Sequence, residues 1–138
     1  MSIPIDFRKM FYDISLLQSN YFTKYDYLKD RGTWIQSDFS HFGFVVKQHS
    51  CHVELCFQEK SPDISNQKFD QIFMHRIIIE NKLNLNLIWE RMDTNNRSKI
   101  MTNPVGHGYK DYDIWESIII HLLNDFKKFY DEISLYTT

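Results

Sequence analysis

The chain has 138 residues, which suits one domain with a single hydrophobic core. Its 16 Lys and Arg residues against 18 Asp and Glu residues give a formal net charge of −2, which excludes a positive field over the whole surface that would hold a polyanion. Hydrophobic residues make up 43% and aromatic residues 16% of the chain, a composition that excludes intrinsic disorder. We therefore expect one folded domain over residues 1–138.

The first predicted element is a helix over residues 3–19. Pro4 suits its first turn, because the N–H that proline lacks would have no partner there. The apolar residues that recur at helical spacing are Phe7, Met10, Phe11, Ile14 and Leu17. The stretch that follows, residues 20–32, mixes aromatic and charged residues and is either a second short helix or an aromatic-rich loop.

From Thr33 the apolar pattern becomes that of strands. Residues 34–39, 42–48 and 51–58 are rich in aromatic and β-branched residues and predict a three-stranded meander. The third strand alternates most clearly, so its side chains fall into two sets on opposite faces. Cys51, Val53, Leu55 and Phe57 form the set expected in the core, while His52, Glu54, Cys56 and Gln58 form the set expected on a wetter face.

The second half of the chain predicts a helix, a hairpin and a long helix. The helix runs from about residue 61 to residue 83, and strands over 85–92 and 98–102 follow, joined by a polar turn rich in Asn. A wide apolar stripe predicts the last helix over residues 112–135. The order α-βββ-α-ββ-α indicates an α+β fold, a two-layer sandwich with a mainly antiparallel five-stranded sheet and three main helices.

The sequence also predicts where the protein resides. No segment approaches the roughly 18 consecutive apolar residues of a membrane span, and the first residues lack a basic leader followed by an apolar run. The two cysteines, Cys51 and Cys56, fit a reducing compartment where no structural disulfide is expected. We expect a cytoplasmic protein with no membrane partner.

Motifs for cofactors, metals and nucleophiles are weak. His49, Cys51, His52 and Cys56 lie within eight residues, but a strand would point Cys51 away from His52 and Cys56, so we expect no zinc site, a core role for Cys51 and a surface role for His52. No phosphate-binding glycine loop or nucleophile elbow occurs. We therefore predict no cofactor, no metal ligand and no catalytic residue.

One segment resembles a known family. The stretches LIWERM at residues 87–92 and RSKI at residues 97–100 resemble an uncharacterised bacterial domain family, and the resemblance extends over about residues 34–129. Members of that family are often found beside, or fused to, restriction-endonuclease-like domains of the PD-(D/E)xK type. The resemblance implies an accessory role in restriction or phage defence.

A literal PD-(D/E)xK match occurs at Pro62-Asp63 and Glu80-Asn81-Lys82. That nuclease site needs its acid and lysine on a strand, where alternate side chains face the same metal. In the predicted helix, residues two apart point about 200° apart. We therefore interpret Asp63 as a helix cap, and Glu80 and Lys82 as solvated charges.

Aromatic and charged residues near the family-like segment are the candidate binding residues. Trp34, Trp89 and Arg91 could line a groove for a peptide or an unstacked base, because aromatic faces and a guanidinium suit both. Glu90 is expected to point outward, and Arg91 could pair with a carboxylate near the strand end. His107, in the loop Gly106-His107-Gly108, is the histidine with the most exposed setting. Structural packing is the alternative interpretation for each.

The predicted function is that of a small, non-catalytic binding or interaction module. Its partner would be a nuclease or other protein, or a second copy of the chain, since apolar sectors on the last two predicted helices favour a homodimer. The first alternative is a metal-dependent nuclease or other nucleic-acid-processing enzyme that uses Glu54, Glu59 or Glu90. The second is a DNA-binding domain without chemistry, whose affinity would fall steeply with salt.

Overall fold

The structure is a computed structural model that describes residues 3–18, 22, 25–29, 33–36, 41–92 and 97–137. It has an α+β architecture, which confirms the predicted class. The helices are α1 (Ile5–Gln18), α2 (Pro62–Phe73), α3 (Arg76–Leu83) and α4 (Trp115–Ser134), the last preceded by a 3₁₀ turn over Tyr112–Ile114. The strands are β1 (Thr33–Gln36), β2 (His41–Val46), β3 (Cys51–Gln58), β4 (Leu87–Glu90) and β5 (Arg97–Thr102).

The strands form one sheet in the order β1-β2-β3-β5-β4, and each neighbouring pair is antiparallel. Because β5 lies between β3 and β4, those two strands run in the same direction. Between β3 and β4 the chain passes through α2 and α3, and β4 joins the sheet one strand position away from β3. The next strand, β5, then runs back antiparallel to β4 and occupies the position between β3 and β4. Positions 93–96 of the predicted hairpin turn lie outside the described residues.

Helices pack on one face of the sheet and form the core with it. Four side chains of β3 are at most 1% exposed on this face, and α2 and α4 both contact β3. Phe44 of β2 shows how the layers join, since its ring centroid lies 4.9 Å from that of Phe11 in α1 and 5.0 Å from that of Phe126 in α4. Aromatic rings thus fill much of the space between sheet and helices.

The buried stripe of α1 differs in part from the predicted stripe. Phe7 and Phe11 are fully buried, but Leu17 is 86% exposed, because the core row continues at a spacing of four through Ser15. Beyond α1, the described part of residues 20–32 is a loop rather than a helix. Phe22 and Tyr25 pack against Phe11, and residues 27–29 form a turn.

The single middle helix predicted over residues 61–83 is two helices, so the described chain has four helices instead of three. Ser61 caps α2, because its Oγ accepts the Ile64 N–H at 3.3 Å, and Pro62 opens the first turn. The predicted cap at Asp63 is therefore wrong, and Asp63 lies inside the first turn. His75, with φ −105° and ψ 12°, separates α2 from α3.

The last helix, α4, carries the broad apolar stripe that the sequence predicts. The residues of α4 buried against the sheet and the other helices are Ile118, Ile119, Leu122, Leu123, Phe126, Phe129 and Ile133. Its opposite side bears exposed polar and charged residues such as Lys127 and Lys128. Within the described ranges, no helix combines the length and the apolar content that crossing a bilayer requires.

Candidate functional site

The face of the sheet opposite the helices holds a depression of about 790 Å³. Alternate side chains of four strands reach it, and no described helix covers it. We call this surface the helix-free face. Its residues from β3 are His52, Glu54, Cys56 and Gln58, and those from β5 are Arg97, Lys99 and Met101. His41, Val45, Lys47, Ile88, Glu90 and Pro104 complete it.

A histidine and a carboxylate are buried next to each other at the helix-free face. His52 is 8% exposed and Glu54 4% exposed, and the distance from His52 Nε2 to Glu54 Oε1 is 3.0 Å. The two residues are two apart on β3, so the strand projects both to the same side. Burying either group alone would be costly, and their mutual hydrogen bond offsets that cost. The prediction that His52 is a surface residue is therefore wrong.

A thiol and two cations lie next to this pair. Burial raises the pKa of the Cys56 thiol above its ordinary value, and the Glu54 carboxylate raises it further, whereas Arg97 and Lys99 lower it. The strand register explains the grouping, because Cys56 pairs with Lys99 and Gln58 with Arg97. A thiol with a raised pKa stays protonated at neutral pH, so Cys56 is not a ready nucleophile.

Apolar side chains occupy part of the helix-free face, towards the edge strand β4. Met101, which is 7% exposed, lies between Glu54 of β3 and Ile88 of β4 in the ladder. Val45 and Pro104 also line the depression. Charged groups lie next to this apolar area, since Lys99 of β5 and Glu90 of β4 stand opposite each other in the register one row away. Apolar side chains beside charged ones are typical of protein interfaces.

Two of the predicted binding residues lie on the opposite side of the sheet, against the helices. The Trp89 ring packs edge-to-face on Phe73, with centroids 5.5 Å apart. Arg91 donates from Nε and Nη2 to the two carboxylate oxygens of Asp70 in α2, at 2.9 and 3.1 Å. The expectation that Arg91 could pair with a carboxylate is confirmed. Trp89 and Arg91 thus join β4 and its end to α2.

The other three predicted binding residues are spread over the molecule. Glu90 lines the helix-free face, as the outward position on β4 predicts. His107 is exposed in the loop between β5 and the 3₁₀ turn. The Trp34 backbone pairs with Gly43, whose neighbour on β3 is Glu54, and the Trp34 side chain lies outside the described part of the chain. The described side chains therefore do not bring the predicted set together.

The sequence interpretation missed the His52–Glu54 pair as a site. The alternation along β3 correctly placed His52, Glu54 and Cys56 on one face, and that face is the wetter one, since the four β3 side chains on the core face are at most 1% exposed. The alternation did not show that these three residues are themselves at most 8% exposed. The available signal was a histidine, a carboxylate and a thiol on alternate positions of one strand. Their burial depends on neighbouring strands, which the alternation of one strand does not reveal.

Glu80 and Lys82, the acid and the lysine of the literal PD-(D/E)xK match, contact other elements of the fold. Glu80 Oε2 accepts the Leu87 N–H at 2.7 Å and lies 3.4 Å from Trp89 Nε1, so the predicted solvated role of Glu80 is wrong. Lys82 Nζ lies 3.9 Å from Glu132 Oε2 of α4. These contacts place Glu80 and Lys82 in links from α3 to two different elements, β4 and α4.

Three of the four possible zinc ligands lie on β3, and they divide between its two faces, as predicted. Cys51 is 1% exposed in the core, where burial, with a smaller contribution from Asp125, raises its pKa to about 11. His52 and Cys56 lie on the helix-free face. In the part of the chain that the structure describes, no group of three or more His, Cys, Asp or Glu residues could hold a metal ion.

Comparison with protein families gives a match over most of the chain. A family model described as a domain of unknown function (DUF4268) matches residues 20–137, which is most of the chain. This range includes the family-like stretches at residues 87–92 and 97–100 and extends beyond the expected limits of 34–129 at both ends. No curated protein and no solved structure matches the chain.

Proposed function

We propose a non-catalytic binding function for this chain, which belongs to the DUF4268 family of domains of unknown function. The binding surface is the helix-free face, and the ligand is a segment of a partner protein. The observation that carries this proposal is the depression of about 790 Å³ on a sheet face that no described helix covers. A sheet with one open, partly apolar face can accept another protein where a second layer of helices would otherwise pack.

The composition of the face favours binding over nucleophilic catalysis. His52 and Cys56 are four residues apart on β3, so their backbones are about 13 Å apart, and His52 cannot activate the thiol at that distance. His41 of β2 lies opposite Cys56 in the register, but the pKa of the thiol is raised rather than lowered. The Glu54 carboxylate lies between His52 and Cys56 and raises the pKa of the Cys56 thiol instead of lowering it. Met101, Ile88 and Val45 supply apolar contact area that a bound segment would cover.

The partner that the family resemblance suggests is a restriction-endonuclease-like protein. In that arrangement the chain is an accessory module of a restriction or phage-defence system. The Trp89–Phe73 contact and the Arg91–Asp70 pair then serve to hold the sheet rigid beneath the bound partner.

A partner-capture experiment with face variants tests this proposal. The tagged full chain is used to isolate partners from its source cells, each partner is purified, and its Kd is measured by calorimetry. We expect Ile88→Glu to weaken binding at least tenfold, about 1.4 kcal/mol, because it puts a charge into the apolar area beside Met101. Leu17→Glu, which changes an exposed leucine on α1, should leave the Kd unchanged.

The result that contradicts the proposal is a partner whose Kd is the same for the unmodified chain and for Ile88→Glu. Thermal melting of each variant shows whether Ile88→Glu remains folded. Lys47→Glu provides a second variant at an exposed position of the same face, where loss of folding is not expected.

A metal-dependent nuclease is the second candidate, because Glu54, Glu90 and Lys99 line one depression. Two carboxylates and a lysine match the residue types of such a site. Against it, Glu54 is hydrogen-bonded to His52 at 3.0 Å, and among the described residues no group of three or more His, Cys, Asp or Glu side chains could hold a metal ion. Magnesium- or manganese-dependent DNA cleavage that disappears in Glu54→Gln and Glu90→Gln would favour this candidate over binding.

A further inference from the structure

We infer that the segment bound at the helix-free face is an acidic, extended peptide with an apolar residue beside its acidic ones. This inference rests on the proposed function and adds the chemistry of the partner. Three observations carry it: the local balance of charge, the spacing of side chains along β5, and the type of rings on the face.

The charge on the helix-free face is opposite in sign to that of the whole chain. Lys47, Arg97 and Lys99 contribute three fixed positive charges, and the carboxylates of the face are Glu54 and Glu90. Glu54 is already paired with His52, and among the described residues neither Lys47 nor Lys99 has an ion-pair partner within 4 Å. The chain as a whole has a formal net charge of −2, so this excess of cations is local. An acidic ligand complements it.

The spacing along β5 matches a peptide in extended conformation. Arg97, Lys99 and Met101 occupy alternate positions of β5 and share the helix-free face. Each is therefore about 6.6 Å from the next along the strand. Alternate side chains of an extended peptide have the same spacing. Two acidic residues separated by one position would therefore meet Arg97 and Lys99, and an apolar residue two positions further on would meet Met101.

The described side chains of this face favour a peptide over single-stranded nucleic acid. Proteins that bind single strands stack bases on aromatic side chains over a continuous positive track. Among the described lining residues, the aromatic rings are the imidazoles of His41 and His52, and His52 is buried against Glu54. Buried Met101 and half-buried Ile88 present aliphatic contact instead.

The test is an NMR titration of the isotope-labelled full chain with the peptide acetyl-Gly-Glu-Ser-Glu-Ser-Leu-Gly-amide. We expect shifts of backbone amides in β3, β4 and β5, and a Kd at least fivefold lower than for the same peptide with Gln in place of both Glu residues. Lys99→Glu should weaken binding at least fivefold. Lys127→Glu, an exposed lysine on α4, is the matched control and should have no effect.

Three results would overturn the inference. They are equal binding of the Gln and Glu peptides, equal loss of binding in Lys127→Glu and Lys99→Glu, and preferential binding of an oligothymidine to the same face. If these occur while the captured partner still depends on Ile88, the acidic chemistry is wrong and the proposed binding face stands. If the captured partner is also insensitive to Ile88→Glu, the proposed function itself fails.

Discussion

The Glu80 carboxylate connects α3 to β4 at two points. Its Oε2 accepts the Leu87 N–H at 2.7 Å and lies within reach of the Trp89 indole N–H at 3.4 Å. We expect Glu80→Ala to lower the free energy of unfolding by about 1–3 kcal/mol, because a backbone N–H at the start of β4 then loses a charged acceptor. Urea denaturation followed by circular dichroism measures the change.

Glu116→Ala is the matched control for Glu80→Ala. Glu116 is exposed in the first turn of α4, and its removal should change stability by no more than about 0.5 kcal/mol. Equal stability of the two variants would contradict the structural role of Glu80. In that case, contacts between elements would no longer explain the acid-x-Lys motif at Glu80 and Lys82.

Single residues also show what the sequence could reveal about the candidate site. The alternation of β3 placed His52, Glu54 and Cys56 on a common face, because the direction of side chains on a strand depends on the chain's own geometry. Their burial and the approach of Lys99 to Cys56 depend on which strands lie beside β3. β5 is about 40 residues from β3 in sequence, so the alternation of β3 alone cannot predict that β5 pairs with it.

At the level of elements, the division of the middle helix illustrates the same limit. Neither glycine nor proline marks the break at Met74 and His75, so the sequence pattern continues across it. The cause is tertiary: Gln71 donates to the Tyr136 carbonyl at 2.9 Å, and the His75 ring stacks on the Tyr136 ring with centroids 4.6 Å apart. These contacts fix the end of α2 to the chain after α4, and α3 then turns to pack on α4.

The loop between β5 and the 3₁₀ turn contains two glycines with different surroundings, which gives a prediction for this element. A Cβ at Gly108 would lie 2.0 Å from the Lys47 carbonyl oxygen, whereas a Cβ at Gly106 meets no atom within 4 Å. We expect Gly108→Ala to destabilise the protein by more than about 2 kcal/mol, because the backbone of the loop or of the β2 end must move. Gly106→Ala should be neutral or stabilising by up to about 1 kcal/mol.

Thermal denaturation of the two glycine variants checks this prediction. The loop hydrogen bonds from the Tyr109 and Lys110 N–H groups to the carbonyls of Lys47 and Gln48 should break first in Gly108→Ala. Faster hydrogen exchange at Tyr109 and Lys110 in that variant would report it. Equal melting temperatures of Gly106→Ala and Gly108→Ala would show that the loop does not approach β2 this closely.

At the scale of the whole molecule, the described helices form a single layer, so the described part of the chain has two outer surfaces with different chemistry. One is the helix-free face, which combines apolar and charged side chains. The other is the outer side of the helices, where Met74 is 70%, Ile77 66% and Ile78 51% exposed. The sequence predicted the two layers from the order of elements, and it predicted a wide apolar sector on the middle helix. It did not show that Ile77 and Ile78 face away from the core while the neighbouring Ile79 is fully buried in it.

The exposed apolar residues of α3 give the last prediction, which concerns self-association. Ile77 and Ile78 of α3 and Met74, which lies just before the break at His75, are all more than half exposed. We call these three apolar side chains, which water solvates poorly, the α3 patch. We expect a homodimer at protein concentrations near 0.5 mM, about the upper range of ordinary solution work, with this patch buried by symmetry. Sedimentation velocity should show a dimer fraction that the double variant Ile77→Glu, Ile78→Glu abolishes by like-charge repulsion.

Leu17→Glu, at a leucine that is 86% exposed on α1, should leave the dimer intact. A chain that sediments as a monomer at every concentration would contradict the prediction, and equal dissociation in Leu17→Glu would place the contact on another surface.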